Sequence, residues 1–179
     1  MSEPSLPPHA PSVVVDTEQP PEHIQEQVIT ACCQLLPGWK ALPRESFKIS
    51  TVSGGITNTL LKVEPPSCTD TDAAAIAQAP VVVRLYGRNT EVFIDRSREL
   101  RTLARVASHG VGSRVLASFA TGRIESFLQG RSLEPVELAE PPVAALAAEA
   151  IAGLNVIPAM EVMPQLWTTL RSFYKQAQG

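Results

Sequence analysis

The sequence predicts an α+β domain, a five-stranded antiparallel sheet with a helix packed on it and further helices behind. Three observations carry that expectation. Apolar-alternating runs come in two pairs joined by glycine turns, Phe47 to Ser53 with Asn58 to Glu64, and Arg114 to Phe119 with Arg123 to Leu128. A fifth run, Val81-Val82-Val83-Arg84-Leu85-Tyr86, is β-branched and closed by Gly87, as in a buried strand. Between and around these runs, apolar residues recur at helical spacing.

In chain order, residues 1 to 20 are crowded with Pro, Ser, Glu and Gln and read as a disordered or loosely attached tail. Pro20-Pro21 opens a helix whose stripe is Ile24, Val28, Ala31, Cys32 and Leu35, and Pro37-Gly38 ends it. Cys32 then reads as a small core hydrophobe. After the first strand pair, residues 65 to 80 form a surface insertion rich in Pro, Asp, Thr and Ala. Asp95 is the expected N-cap of a helix carrying Glu99 early, with Leu100, Leu103, Val106 and Ala107 as its apolar face and His109-Gly110 as its stop. Thr121-Gly122 turns the second hairpin. Pro141-Pro142 starts a helix with Val143, Leu146, Ala147, Ala150, Ile151 and Leu154 on one side, and Leu166, Trp167, Leu170 and Phe173 begin another.

Composition excludes several function classes. With 179 residues and a net charge of −3, the chain has no basic surface for nucleic acid. No apolar run approaches the roughly 20 residues that cross a bilayer, and Met1-Ser2-Glu3-Pro4 does not begin a secretory signal. Three cysteines, two of them adjacent, read as reduced thiols, which favours a cytoplasmic setting. His9, His23 and His109 lack partners at metal-ligand spacing, so no protein-ligated zinc is expected.

Two features point to chemistry. Ser53-Gly54-Gly55-Ile56-Thr57-Asn58 places glycines and short polar side chains at the tip of a strand pair. Its backbone N–H groups can press against a phosphate while Ser53, Thr57 and Asn58 add donors; a tight hairpin uses the same residues. Arg84 inside a buried strand must be paired or face a polar cleft. An ion pair with Glu99 on the next helix would place a fixed cation beside the glycine loop, as phosphoryl transfer requires. A purely structural pair, or two unrelated solvated groups, remains open.

These residues together resemble the choline/ethanolamine kinase family. The resemblance rests on Ser-Gly-Gly-Ile-Thr-Asn-x-Leu at 53–60, Val-Val-Arg-Leu-Tyr-Gly at 82–87, Thr90-Glu91, Asp95-Arg96-x-x-Glu99 and Glu125-Ser-Phe-Leu-Gln-Gly130 with Leu133. The Tyr-Gly-x-x-Thr-Glu run and its Asp-Arg-x-x-Glu continuation are more similar to ethanolamine kinases. It implies a protein-kinase-like N-lobe over 21–134 and, over 135–179, the first helices of an incomplete C-lobe. It also implies ATP as cofactor with Mg²⁺, and ethanolamine or choline as the phosphorylated alcohol, on the route to phosphatidylethanolamine and related phospholipids. Gly54, Gly55, Thr57 and Asn58 would line the ATP phosphates with Ser53 beside them, Arg84 would contact phosphate and pair with Glu99, and the backbone of Ser126 and Leu128 would serve the adenine edge. Leu128 and Val83 would neighbour the ring. Without the upstream blocks, Glu125 to Leu128 is an edge strand.

The family's His-x-Asp-x-x-x-x-Asn catalytic motif and metal-binding Asp do not occur in residues 1–179, and Asn155 stands where the family usually has His. A truncated chain without catalysis of its own is therefore expected. The alternatives are a non-catalytic fragment, or a lobe that binds the full-length partner with the surface of Val143–Leu154 and Trp167 left uncovered, or another kinase-like small-molecule phosphotransferase; dimerisation stays open.

Overall fold

The structure, a computed structural model, describes residues 5–52, 58–66, 79–88, 90, 94–158 and 166–178. The described part of the insertion at 65–80 is its two ends.

Among the described residues, six strands form one sheet in the order β1-β5-β6-β4-β3-β2. Five of them are the expected antiparallel set: β2 (Lys48–Thr51), β3 (Asn58–Glu64), β4 (Val81–Tyr86), β5 (Val115–Phe119) and β6 (Gly122–Ser126). The sixth, β1 (His9–Ala10), pairs parallel with β5 and was not expected. Helix α1 (Pro21–Leu35) precedes the sheet, α2 (Arg96–Ser108) lies between β4 and β5, and α3 (Pro141–Asn155) and α4 (Leu166–Ala177) follow.

Alternation along β4 decides which face does what. Val81, Val83 and Leu85 are buried, and with Leu61, Val63, Ala117, Phe119 and Ile124 they build the core. Val28, Ala31, Cys32 and Cys33 of α1 join the same cluster, so the helical stripe meets the sheet as its spacing requires. Gly38 takes the left-handed conformation (φ 81°) that ends α1. Just beyond it, Trp39 is buried against Phe47, ring centres 5.3 Å apart. Val82, Arg84 and Tyr86 occupy the opposite face, and their registered neighbours Asn58, Leu60 and Lys62 on β3 and Arg123 and Glu125 on β6 share it. Asp95 caps α2 as expected, its carboxylate accepting from the Arg98 amide at 3.0 Å.

Residues 8–15 correct the expectation of a loose tail. The Ser118 amide donates to the Pro8 carbonyl at 2.9 Å, and His9 Nδ1 lies 2.9 Å from Ser118 Oγ. The Ala120 amide donates to the Val13 carbonyl at 3.1 Å. Thr121 Oγ1 accepts from the Val15 amide at 2.9 Å and donates to the Val15 carbonyl at 3.1 Å, and the Val15 side chain is buried in the core. Proline-rich composition suppresses helix and central strand, but it leaves a parallel edge strand and a single apolar plug available.

Helices α3 and α4 form where their prolines and apolar spacing predict them, yet neither contains a buried residue. Leu146, Ile151, Leu154, Leu166, Trp167 and Leu170 are exposed. No helix among the described residues is long and apolar enough to cross a membrane.

Two stability outcomes follow. A Cβ at Gly122 would sit 2.5 Å from the Arg84 carbonyl oxygen and 2.6 Å from the Phe119 ring. Gly122→Ala should therefore cost about 1–3 kcal/mol by overpacking, read as a lower urea midpoint at unchanged slope. Thr121→Val removes both bonds to Val15 and strands its buried backbone; the expected loss is about 1–3 kcal/mol, with faster hydrogen exchange at the Val15 amide and faster proteolysis between residues 8 and 16.

Candidate nucleotide site

The charged side chains on the β4–β6 face do not pair as the sequence suggests. Arg84 forms neither a hydrogen bond nor an ion pair with Glu99. Its Nε donates instead to Glu125 Oε1 at 3.2 Å. The same oxygen accepts from Arg123 Nε at 2.6 Å, and Glu125 Oε2 accepts from Ser113 Oγ at 2.6 Å. Glu99 belongs to the other end of this chain of charges: its Oε2 accepts from Arg96 at 2.9 Å, and its Oε1 lies 3.0 Å from Arg123, close enough for an ion pair although the N–H bond is not aimed at it. The result is a ladder, Arg84–Glu125–Arg123–Glu99–Arg96.

Strand register explains the exchange of partners. Arg84 and Arg123 face each other directly across β4 and β6. Two guanidiniums so placed repel unless an acid lies between them. Glu125, two residues along β6 on the same face, reaches both, whereas Glu99 must reach in from a helix and meets Arg123 first. The alternation Arg123-Ile124-Glu125 within an apolar strand carried the signal for this network. The rule that a buried Arg needs a partner applies to Arg123 as much as to Arg84.

The electrostatics agree with the geometry. Burial pushes the Glu125 carboxyl upward, but the bonds from Ser113 and Arg123 and the charges of Arg123 and Arg84 outweigh it and hold it below the usual carboxylate range. Glu99 follows the same pattern, burial opposed and overcome by Arg96 and Arg123. Burial disfavours the Arg123 cation, and Glu125 and Glu99 more than restore it. Glu125, Glu99 and Arg123 are thus each held in the charged form at neutral pH.

Tyr86, Thr90, Arg96 and Glu99 form one local unit. The Arg96 guanidinium stacks on the Tyr86 ring at 3.8 Å, donates to Thr90 Oγ1 and pairs with Glu99, while Thr90 donates to the Gly87 carbonyl at 2.7 Å. This is the physical content of the Tyr-Gly-x-x-Thr and Asp-Arg-x-x-Glu spacing: a strand end and a helix start tied by one arginine.

The other candidate residues divide as follows. Ser53, Gly54, Gly55 and Thr57 lie outside the described residues. Asn58 begins β3 opposite Tyr86, two residues along the shared face from the position opposite Arg84. The Ser126 amide already donates to the Arg114 carbonyl at 2.9 Å, and its hydroxyl accepts from the Arg114 amide, so its amide is not available to an adenine edge. Leu128 is exposed, and its amide has no hydrogen-bond partner among the described residues. Val83 is fully buried on the core face and cannot neighbour a ring on the Arg84 face; Val82 occupies that side. A groove of about 740 Å³ opens at the far end of β4 from Ser126, between residues 14–18, Tyr86, Arg88, Arg96 and Thr121, and none of the candidate contacts among the described residues borders it.

Among the described candidates, Arg84 is the group whose chemistry suits a phosphate. Arg84 is hydrogen-bonded at Nε alone, and its two terminal nitrogens make no hydrogen bond to a described residue. Half of its fork is therefore presented on the face where Asn58 and the glycine segment's flanking strands converge. Among the described residues, no three His, Cys, Asp or Glu side chains converge.

Comparison with known proteins places this geometry. The choline/ethanolamine kinase family model matches residues 49–179. A probable ethanolamine kinase of Arabidopsis thaliana is 37% identical over 168 residues, covering 93% of this chain and 43% of the relative. Probable choline kinase 3 of the same plant is 32% identical over 137 residues, covering 75% and 38%. The chain thus spans about two fifths of the length of these relatives. Among solved structures, a Plasmodium vivax ethanolamine kinase superposes with a TM-score of 0.65 at 20% identity, covering 92% of this chain and 46% of that one. A choline kinase from Cryptosporidium parvum gives 0.62 at 22%, covering 86% and 42%. At such identities the structural likeness speaks to the fold, which is that of a choline or ethanolamine kinase, and the sequence match speaks to descent: the chain belongs to the choline/ethanolamine kinase family.

Proposed function

We propose that this chain supplies the nucleotide cradle of a kinase that transfers the γ-phosphoryl group of ATP to the hydroxyl of ethanolamine, with choline as the alternative acceptor. The observation that carries the reading is Arg84: a cation anchored from behind by Glu125, with its terminal donors unspent among the described residues. Asn58 and the segment Ser53–Thr57 would share the phosphates with it, while the Ser126 carbonyl and the Leu128 amide would serve the adenine edge. Glu99 acts at one remove, through Arg123. Residues 21–134 would form the N-lobe and 135–179 the helices that lead into a second lobe. Mg²⁺ would be held by carboxylates other than those described. The ethanolamine preference is supported by the 37% identical relative named for it. Free, buried Cys32 and Cys33 support a reducing, cytoplasmic setting.

Phosphoryl transfer is mostly placement and charge neutralisation, and Arg84 provides one fixed positive fork of the several it needs. Arg84→Ala should weaken binding of a non-hydrolysable ATP analogue at least tenfold, about 1.4 kcal/mol, in isothermal titration, and Arg84→Lys should fall between because it keeps charge without the fork. An unchanged affinity in Arg84→Ala would sink the assignment. The 179-residue chain has no His-x-Asp-x-x-x-x-Asn run to accept the alcohol's proton. Incubated with ethanolamine and ATP, it should release no ADP above the buffer rate, and sustained turnover would overturn that expectation.

A further inference from the structure

We infer that Glu125 is the positioning residue of the phosphate-facing arginine and that Ser113 in turn positions Glu125, so that the strand entering the adenine-edge segment also sets the direction of the Arg84 fork. This rests on the nucleotide-site reading above and deepens it.

Glu125 is 6% exposed, and both of its oxygens are committed. Oε1 takes Nε of Arg84 and Nε of Arg123, and Oε2 takes the Ser113 hydroxyl. A carboxylate held by three donors from β4, β6 and the loop before β5 cannot rotate without losing at least one of them. Arg84, by contrast, is held at one atom. Whatever direction its terminal nitrogens take is therefore set by the Nε–Glu125 bond. Arg123 closes the alternative, since its pairing with Glu99 keeps that acid away from Arg84 and supplies the second positive charge that Glu125 needs. The path from this carboxylate to the Leu128 amide is three residues of one chain segment. The adenine end and the phosphate end of the site are thus joined through β6 rather than through α2.

The inference makes Glu125 and Glu99 behave differently, and two measurements on the full 179-residue chain separate them. The first needs no nucleotide. In ¹⁵N spectra of the arginine Nε–H groups, the Arg84 signal, assigned by its loss in Arg84→Lys, should shift and broaden in Glu125→Gln and in Ser113→Ala, and should stay in place in Glu99→Gln. The second is a double-mutant cycle on affinity for a non-hydrolysable ATP analogue. Glu125→Gln should weaken binding at least fivefold, and that loss should vanish in the Arg84→Ala background, whereas any effect of Glu99→Gln should be the same in both backgrounds. Ser113→Ala, which leaves every charge in place, should move the affinity in the same direction by a smaller factor. An Arg84 signal that ignores Glu125→Gln but responds to Glu99→Gln overturns the inference, as does a Glu125→Gln loss that persists undiminished without Arg84. Should Glu125→Gln fail to melt cooperatively, Ser113→Ala decides, and an unmoved Arg84 signal there overturns the inference as well. Absence of analogue binding by the unmodified chain would instead defeat the nucleotide reading, with the spectra still deciding which acid holds Arg84.

Discussion

The Glu125 carboxylate is the point on which the charged half of this molecule turns. Strand pairing sets Arg84 and Arg123 opposite each other, and that placement is tolerable only because one acid lies between them. Once Glu125 is committed there, Arg123 must find its second partner on α2, which fixes the first turn of that helix over the sheet through Glu99. Arg96 then completes the row and stacks on Tyr86. Such a ladder is better regarded as a device for geometry than as a source of net stability. Exchanging a buried ion pair for well-packed apolar residues is often neutral or favourable, while removing one member strands the others at a cost of about 3–5 kcal/mol.

The sheet divides its two sides between different tasks. One side, with α1, Trp39 and Phe47, is an ordinary apolar core that holds the strands together. The other is polar and alternating, and most of its side chains are tied to one another rather than packed. This separation lets the candidate site carry five charged residues without compromising the core. It also accounts for Val83 and Arg84 being neighbours in sequence with opposite fates.

Much of this was legible in the chain. The stripe Ile24, Val28, Ala31, Cys32 with Pro21 and Gly38 at its ends specifies α1, Asp95 specifies the start of α2, and Gly87 and Gly122 bound the strands they flank. What was not legible has physical reasons. A two-residue strand such as β1 has no periodicity to detect, and its support comes from Ser118 and Thr121, more than a hundred residues away in sequence. The partner of Arg84 depends on register across β4 and β6, which no local pattern encodes, so a helix acid that suits the spacing looked as good as a strand acid that suits the geometry. Val83 lies one residue along the strand from Arg84 and hence on the opposite side of the sheet, so it faces the core and not the candidate site.

The docking of residues 8–15 along β5 bears on how the protein is handled. A preparation that began at Pro21 would leave an unsatisfied outer strand and an empty socket where Val15 sits. Open edges of that kind recruit strands from other molecules. Shortening the amino terminus as dispensable would then turn a well-behaved sheet into a seed for association, and a bulky fusion placed directly before His9 would compete with the very pairing that seals it.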